Sequence, residues 1–331
     1  MHIKTAAIAF VLIGWTAIAR AADDIPETPT LTNAARAGWF QFSIASGRIT
    51  VSGSRGINVT TTSGGTDRRD RLSVRIGGGD PIVDYELIAE DQEITIVMSS
   101  RNRLTIERKP KSPSKTTAVL FEQPAQGPVV LRVGREQQAV YQMPSLWHLL
   151  VAEPVVCRQN LLPLLRLLNR EWDLEKTTAE IESALIAMAG DQNLPDKRRW
   201  AEWVEQLGDA RYSKREAADR QLREAGRVVI TFLQQLDPSR LDAEQQFRVR
   251  RIVSSLSDNE GNDSADQIAA WLAGDPGVWL ALLSREDLSI RRIAAKHLEA
   301  LLGGAIGFDP AADPPTRKAQ LEQLRARIAT R

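Results

Sequence analysis

The sequence predicts an α+β chain in two parts, an N-terminal antiparallel β-sandwich or open barrel followed by a C-terminal array of α-helices. Three observations predict it. Between Gly38 and Val133 apolar and polar residues alternate, the period of strands with one face on a core. At Pro144 the alternation stops and helical spacing takes over. Within the helical part Trp203, Leu207, Ser213, Arg215, Ala218 and Leu222 recur at the same spacing as Trp279, Leu283, Ser289, Arg291, Ala294 and Leu298, which marks a duplicated helical unit.

The first residues read as an address. Lys4 precedes an apolar run from Thr5 to Ala19, and Ala19-Arg20-Ala21 gives a small-x-small cleavage site. The run is shorter than the roughly 20 residues of a spanning helix, so residues 1–21 read as a signal peptide, with a retained N-terminal anchor as the alternative. Residues 22–35, with Pro26 and Pro29, read as a mobile leader. No other stretch is apolar enough to span a membrane, so no stable membrane span is expected once the signal is cleaved.

The β-domain is expected over 36–143. Its strands are centred on Phe40–Ile44, Arg48–Ser52, Leu72–Ile76, Glu93–Met98, Arg103–Glu107, Val119–Phe121 and Val129–Val133, with turns at Ser52-Gly53-Ser54, Ser63-Gly64-Gly65 and Gly77-Gly78-Gly79. Short strands at this spacing, without helical crossovers, pair antiparallel.

The helical domain is expected over 144–331. Ser145 is placed to cap a first helix. The leucine-rich stretch Asn160–Leu168 is apolar on more than one face, so it belongs between neighbours, with Pro163 in its first turn. Helices follow over Thr177–Met188, Asp196–Leu207, Ser213–Ala225, Arg227–Leu236, Asp242–Leu256, Ser264–Ala273, Gly277–Leu283, Ser289–Leu302 and Pro315–Ile328, with 257–263 as the most polar linker. Ser213 and Ser289 are expected N-caps. Arg215 and Arg291 are unusual cations at a helix N-terminus, and their recurrence predicts a fixed structural partner on the preceding segment.

The run from Tyr212 to Gly226 resembles the S-x-R-E-A-A-x3-L-x3-G signature of HEAT-like repeats, in the version seen in exported planctomycete-type bacterial proteins of unknown function. The copy from Leu288 to Leu298 is similar but fits less well. Gly307-Phe308-Asp309-Pro310-Ala311-Ala312, with Arg317 beyond it, is similar to a tail that ends such arrays. The resemblance covers 145–331 and implies a HEAT-like α-solenoid. The resemblance leaves the β-domain unassigned.

Little in the sequence speaks for chemistry. His148 and His297 have no second histidine at metal-pair spacing. Cys157, the one cysteine, sits in an apolar setting expected for an inert thiol, so a His148–Cys157 pair is disfavoured. Gly77–Asp80 lacks the residues of a phosphate loop. Asp80, Asp84, Glu90 and Asp91 lack calcium-loop spacing. No catalytic, cofactor-binding or metal residue is assigned. With 43 basic and 42 acidic residues, the chain is not expected to bind nucleic acid. Arg68, Arg69 and Arg71, and the cluster Arg101, Arg103, Arg108, Lys109, Lys111 and Lys115, make the β-domain locally basic.

The sequence therefore predicts a non-enzymatic, exported (periplasmic or secreted) scaffold or adaptor that binds another envelope protein through its helical array, without cofactor. The alternative is a binding module for envelope glycan, an acidic polysaccharide, through the basic β-domain. A hydrolase whose site assembles from distant residues stays open.

Overall fold

The computed structural model describes residues 30–53, 56–65, 68–77, 80–112, 116–134, 139–190, 196–257 and 264–329. The expected signal peptide, leader residues 22–29, Ser54, Gly78, Gly79, Lys115 and linker residues 258–263 lie outside them. Among the described residues no helix is long and apolar enough to cross a membrane.

The chain is α+β, strands first and helices after. A short helix α1 (Thr30–Arg36) precedes a hairpin of β1 (Phe40–Ala45) and β2 (Arg48–Gly53). Eight strands follow: β3 (Ile57–Gly64), β4 (Arg69–Ile76), β5 (Ile82–Ile88), β6 (Gln92–Met98), β7 (Leu104–Pro110), β8 (Val119–Gln123), β9 (Val129–Val133) and β10 (Ala139–Met143). They form one antiparallel eight-stranded sheet in which spatial order is chain order, with β3 and β10 at the two edges. The sheet is thus open, and the β1–β2 hairpin is a separate two-stranded unit.

Alternation decides the faces. Leu72, Val74, Tyr85, Leu87, Ile94, Ile96, Leu104, Ile106, Phe121 and Leu131 point inward and are buried. The hairpin turns Phe40, Phe42, Ile49 and Val51 into the same core. Three buried polar residues share that face, Asp70, Arg108 and Gln123, and Gln123 reaches the hairpin. Its side chain accepts from the Ile49 amide (2.8 Å) and donates to the Ile49 (2.8 Å) and Asn102 (2.6 Å) carbonyls. It acts as a length of backbone that ties β2 to the end of the large sheet.

The end of the expected mobile leader is held instead. Leu31 is buried against the sheet, and the buried Asp70 of β4 accepts from the Thr30 amide (2.7 Å) and hydroxyl (2.8 Å). A carboxylate at the N-terminus of a helix satisfies its free N–H groups. The Tyr85 hydroxyl donates to the same carboxylate (3.2 Å), and burial beside Asp70 pushes the phenol's pKa up.

The helices are α2 (Leu146–Ala152), α3 (Pro154–Val156), α4 (Leu162–Leu168), α5 (Leu174–Gly190), α6 (Lys197–Gln206), α7 (Tyr212–Glu224), α8 (Ile230–Gln234), α9 (Ala243–Ser257), α10 (Ala265–Leu272), α11 (Pro276–Leu282), α12 (Leu288–Leu302) and α13 (Pro314–Ala329). A π-helical turn, Cys157–Leu161, joins α3 to α4, where Pro163 offers no N–H to a preceding carbonyl. The leucines of α4 pack in the same apolar cluster as the inner face of the sheet, and that cluster continues through α5, α10, α11 and α12 to Leu324 of α13. Secondary structure changes at 144, but the core runs across.

A second, smaller cluster belongs to α6–α9 and holds Trp200, Val204, Leu207, Ala218, Leu222, Val229, Leu233, Val249 and Ile252. It meets the first where the 3₁₀ turn Gly226–Val229 abuts the end of α10. There Gly274 approaches so closely that a Cβ would lie 2.1 Å from the Val228 carbonyl oxygen.

The duplicated pattern maps onto two helix pairs, α6–α7 and α11–α12. Arg215 donates through Nη1 to the Asp209 (2.8 Å) and Ala210 (3.2 Å) carbonyls of the connecting turn. Arg291 donates in the same way to Arg285 (2.8 Å) and Glu286, and through Nε to Pro310 (2.8 Å). Arg317 repeats the contact on Ala312 (2.7 Å). The arginines are clasps that close each turn, which accounts for a cation at a helix start.

Two expectations are corrected. Ser213 and Ser289 are not N-caps, because each helix begins earlier than expected, at Tyr212 and Leu288. Asp287 caps α12, accepting from the Ser289 amide (2.6 Å), while Arg211 at the N-cap of α7 makes no side-chain cap bond. Trp203 and Trp279 also differ. Trp279 is fully buried and donates to the Ala273 carbonyl (2.8 Å). Trp203 is half-buried under the Arg199 guanidinium, and Trp200 fills the core place.

Hydrogen bonds from a charged donor contribute about 1.5–3 kcal/mol each when one partner is removed. Arg291→Ala, which opens bonds to three carbonyls, should cost more than Arg215→Ala, and Arg317→Ala the least. Urea unfolding at pH 7 measures the ranking. Equal losses would show that the carbonyl clasps do not set the arginines' worth.

Candidate functional site

Three places combine polar chemistry with a defined geometry. The first is a sealed node where sheet and helices meet. The β1–β2 turn is two residues, with Ser46 and Gly47 at φ 49° and 68°, the twist that a tight hairpin prefers. The Gly47 carbonyl accepts from the Leu146 amide (2.9 Å). A Cβ at position 47 would lie 2.6 Å from Ser145 Oγ and 2.9 Å from the Trp271 ring.

Ser145 caps α2, as the sequence predicts. Its Oγ lies 2.8 Å from His148 Nδ1, and His148 Nε2 lies 3.5 Å from Asp275 Oδ2. Trp271 packs edge-on against the imidazole (4.9 Å between centroids), and Asp275 caps α11 through the Gly277 amide (2.6 Å). Serine, histidine and aspartate stand in the order of a hydrolytic triad. Access and basicity argue against that chemistry. Ser145 and His148 are each 1% exposed, and burial pushes the His148 pKa down to about 4 despite Asp275. A general base needs a pKa near the working pH and reach to a substrate. With the proton on Nε2 towards Asp275, Nδ1 accepts from the Ser145 hydroxyl. The chain is a polar pin, and Asp275 was its unforeseen member.

The second place is a groove of about 500 Å³ between α2–α3, α5 and the α11–α12 turn. Arg285 crosses it, donating to both Glu182 carboxylate oxygens (2.8–3.2 Å) and to the Val151 carbonyl (2.8 Å). Glu153 faces the groove, its carboxyl pKa raised by burial and opposed by Arg325 and Arg285. Cys157 also lines it. Its thiol points at the Leu149 carbonyl (3.6 Å), and burial pushes its pKa up to about 12, so it stays protonated and unreactive. The structure does not unite His148 and Cys157 as base and nucleophile. His297 stacks on Trp279 (4.0 Å) with Nε2 3.2 Å from the Ala273 carbonyl. Among the described residues no group of three His, Cys, Asp or Glu could hold a metal.

The third place is the paired face of α7 and α9. Arg215 reaches Glu244 (3.6 Å), Glu216 reaches Arg248 (2.9 Å), Asp219 reaches Arg251 (3.0 Å), and Arg223 meets Ser255. Residue numbers rise together on both helices, so they lie parallel. Arg248 also binds Glu244 (2.6 Å), and Arg223 binds Asp219 (2.5 Å). Asp219 and Arg248 are buried, which strengthens a network relative to exposed pairs. Beside this ladder two aromatics stand in solvent, Tyr212 at 65% and Phe247 at 55% exposure. Arg215 lies over the first ring (5.6 Å) and Arg251 over the second (5.9 Å). Charged residues at i, i+4 and i+8 on α7 were the signal for it in the sequence.

The expected basic cluster of the β-domain is dispersed. Arg108 is buried and donates to the Thr117 carbonyl (2.9 Å), Lys109 pairs with Glu107 (3.1 Å), and Lys111 binds the Ala89 carbonyl (2.6 Å). Asp84, Glu86, Glu93, Glu107 and Glu122 share the outer face of the sheet with Arg69, Arg71, Arg75 and Arg132; Glu86 lies across from Arg71, Glu93 lies across from Lys109, and Glu122 pairs with Arg132.

A histidine whose folded pKa falls to about 4 from an ordinary value near 6.5 stabilises the fold fully above pH 6.5. Below that the unfolded chain gains a proton that the folded one refuses, so stability falls until about pH 4, by up to about 3 kcal/mol for His148. Chemical unfolding at pH 7, 6, 5 and 4 should show His148→Gln less stable at pH 7 but with a shallower decline than the parent. Parallel declines would remove His148 as the source.

Comparison with protein-family models, with curated proteins and with solved structures finds no match for this chain.

Proposed function

We propose that the protein is a non-catalytic, exported scaffold or adaptor that binds another envelope protein through its helical part. The observation that carries the proposal is the exposure of Tyr212 and Phe247 on two helices fixed by ion pairs that each bury one partner, Arg248 or Asp219. Interface energy concentrates in tyrosine, tryptophan and arginine anchors, and anchors on a preorganised surface lose little freedom on binding. The parallel α7–α9 pair and the repeated arginine clasps support reading the helical part as a HEAT-like array, whose stacked helices offer an extended face. Export rests on Lys4, the run Thr5–Ala19 and the Ala19-Arg20-Ala21 site.

The experiment is capture from envelope extract with the parent protein and with Tyr212→Ser/Phe247→Ser. Both side chains are exposed, so the double variant should keep the parent's melting temperature to within about 2 °C. It should lose the specifically retained protein. Retention unchanged by the substitutions would contradict docking on α7 and α9.

A further inference from the structure

We propose that strand β3, an edge of the large sheet that no other strand pairs among the described residues, receives an extended segment of a partner protein that is acidic on one face and apolar on the other. The argument begins with hydrogen bonding. Residues of β3 and β4 pair in the register Ile57↔Ile76 through Gly64↔Arg69, and beyond it the Gly65 amide donates to the Arg68 carbonyl (2.8 Å). Antiparallel pairs alternate between bonded and non-bonded, so Ser63, Thr61, Val59 and Ile57 bond to β4. Asn58, Thr60 and Thr62 then turn their N–H and C=O groups away from the sheet, and all three are exposed.

Exposed edges are ordinarily guarded by charge, proline or short length. β3 has eight residues (Ile57, Asn58, Val59, Thr60, Thr61, Thr62, Ser63 and Gly64), none charged and none proline. The opposite edge, β10, is shorter, with five residues; each edge strand touches one helix, β10 against α2 and β3 against α1. Strand β3 is therefore built to pair, with β-branched residues suited to a ladder.

The side chains select the occupant. On the inner face Ile57, Val59 and Thr61 are only half-buried, so an added strand gains by placing apolar residues beside them. On the outer face β3 carries short side chains, and just behind them β4 presents Arg69, Arg71 and Arg75, all exposed. Only Arg71 has a carboxylate directly across, Glu86. Adjacent strands lie about 4.8 Å apart, so a residue on the added strand stands two strands from these arginines, within reach of a guanidinium over threonine. Carboxylates at alternate positions meet that stripe.

The test uses a fluorescent eight-residue peptide of alternating glutamate and valine, followed by anisotropy with the parent protein. Three results are expected together. Thr60→Pro, which removes an outward N–H and leaves the β3–β4 bonds intact, weakens binding at least tenfold. The same peptide N-methylated at alternate residues also fails, a control that leaves the protein unaltered. Arg69→Glu/Arg75→Glu weakens binding at least tenfold, while a lysine–valine peptide now binds. Equal binding of a peptide with the same composition in blocks, or displacement by polygalacturonate that Thr60→Pro does not affect, would overturn the proposal in favour of unspecific charge attraction. A dimer that Thr60→Pro abolishes and the peptide cannot compete away would overturn it in favour of a second copy.

Discussion

The structure depends on a side chain that cannot be present at position 47. The β1–β2 turn presses against Ser145 and Trp271 at distances that leave no room for a Cβ. That approach lets the Gly47 carbonyl take the first amide of α2, and it seals the Ser145–His148–Asp275 chain from water. Four segments are thereby fixed at one point: the hairpin, α2, the end of α10 and the start of α11. Buried polar groups are costly unless satisfied, so the Ser145–His148 hydrogen bond rewards one arrangement of sheet and helices over slipped alternatives.

Two further clamps act outward from that node. Gln123 ties the hairpin to the far end of the sheet through backbone-like bonds, and Arg285 ties the α11–α12 turn to α5 and α2. Each is a buried or half-buried polar group with its partners in place, which is where such groups add specificity. Helices α6–α9 stand outside this system with a separate core. They meet the rest mainly at Gly274 and Val228, so the docking face proposed for α7 and α9 stands apart from the central node.

Much of this was legible in the sequence because it follows from period and spacing. Alternation gave most of the strands, and the Trp–Ser–Arg–Ala–Leu pattern gave both helix pairs with the arginine clasps. What failed was information that lies in three dimensions. Nothing around Thr30 announces that Asp70, forty residues on, would fix the end of the leader. Ser213 and Ser289 look like caps because the helix start was placed by the apolar pattern, whereas Asp287 supplies the acceptor. The basic run Arg108–Lys111 reads as a patch in one dimension. Pleating and local carbonyls take each cation to a different partner. The Ser145–His148–Asp275 chain joins residues more than a hundred positions apart, and no linear spacing encodes it.

The claim that the core is continuous across the change from strands to helices is tested most directly by native-state hydrogen exchange across a urea series. Continuity predicts that amides of β4–β8 and of α5 and α10–α12 open together at the highest urea, with α6–α9 opening earlier as a separate unit. If all helices from 146 to 329 opened in one step while the sheet stayed protected, the node at Gly47 would not be what holds the two parts together.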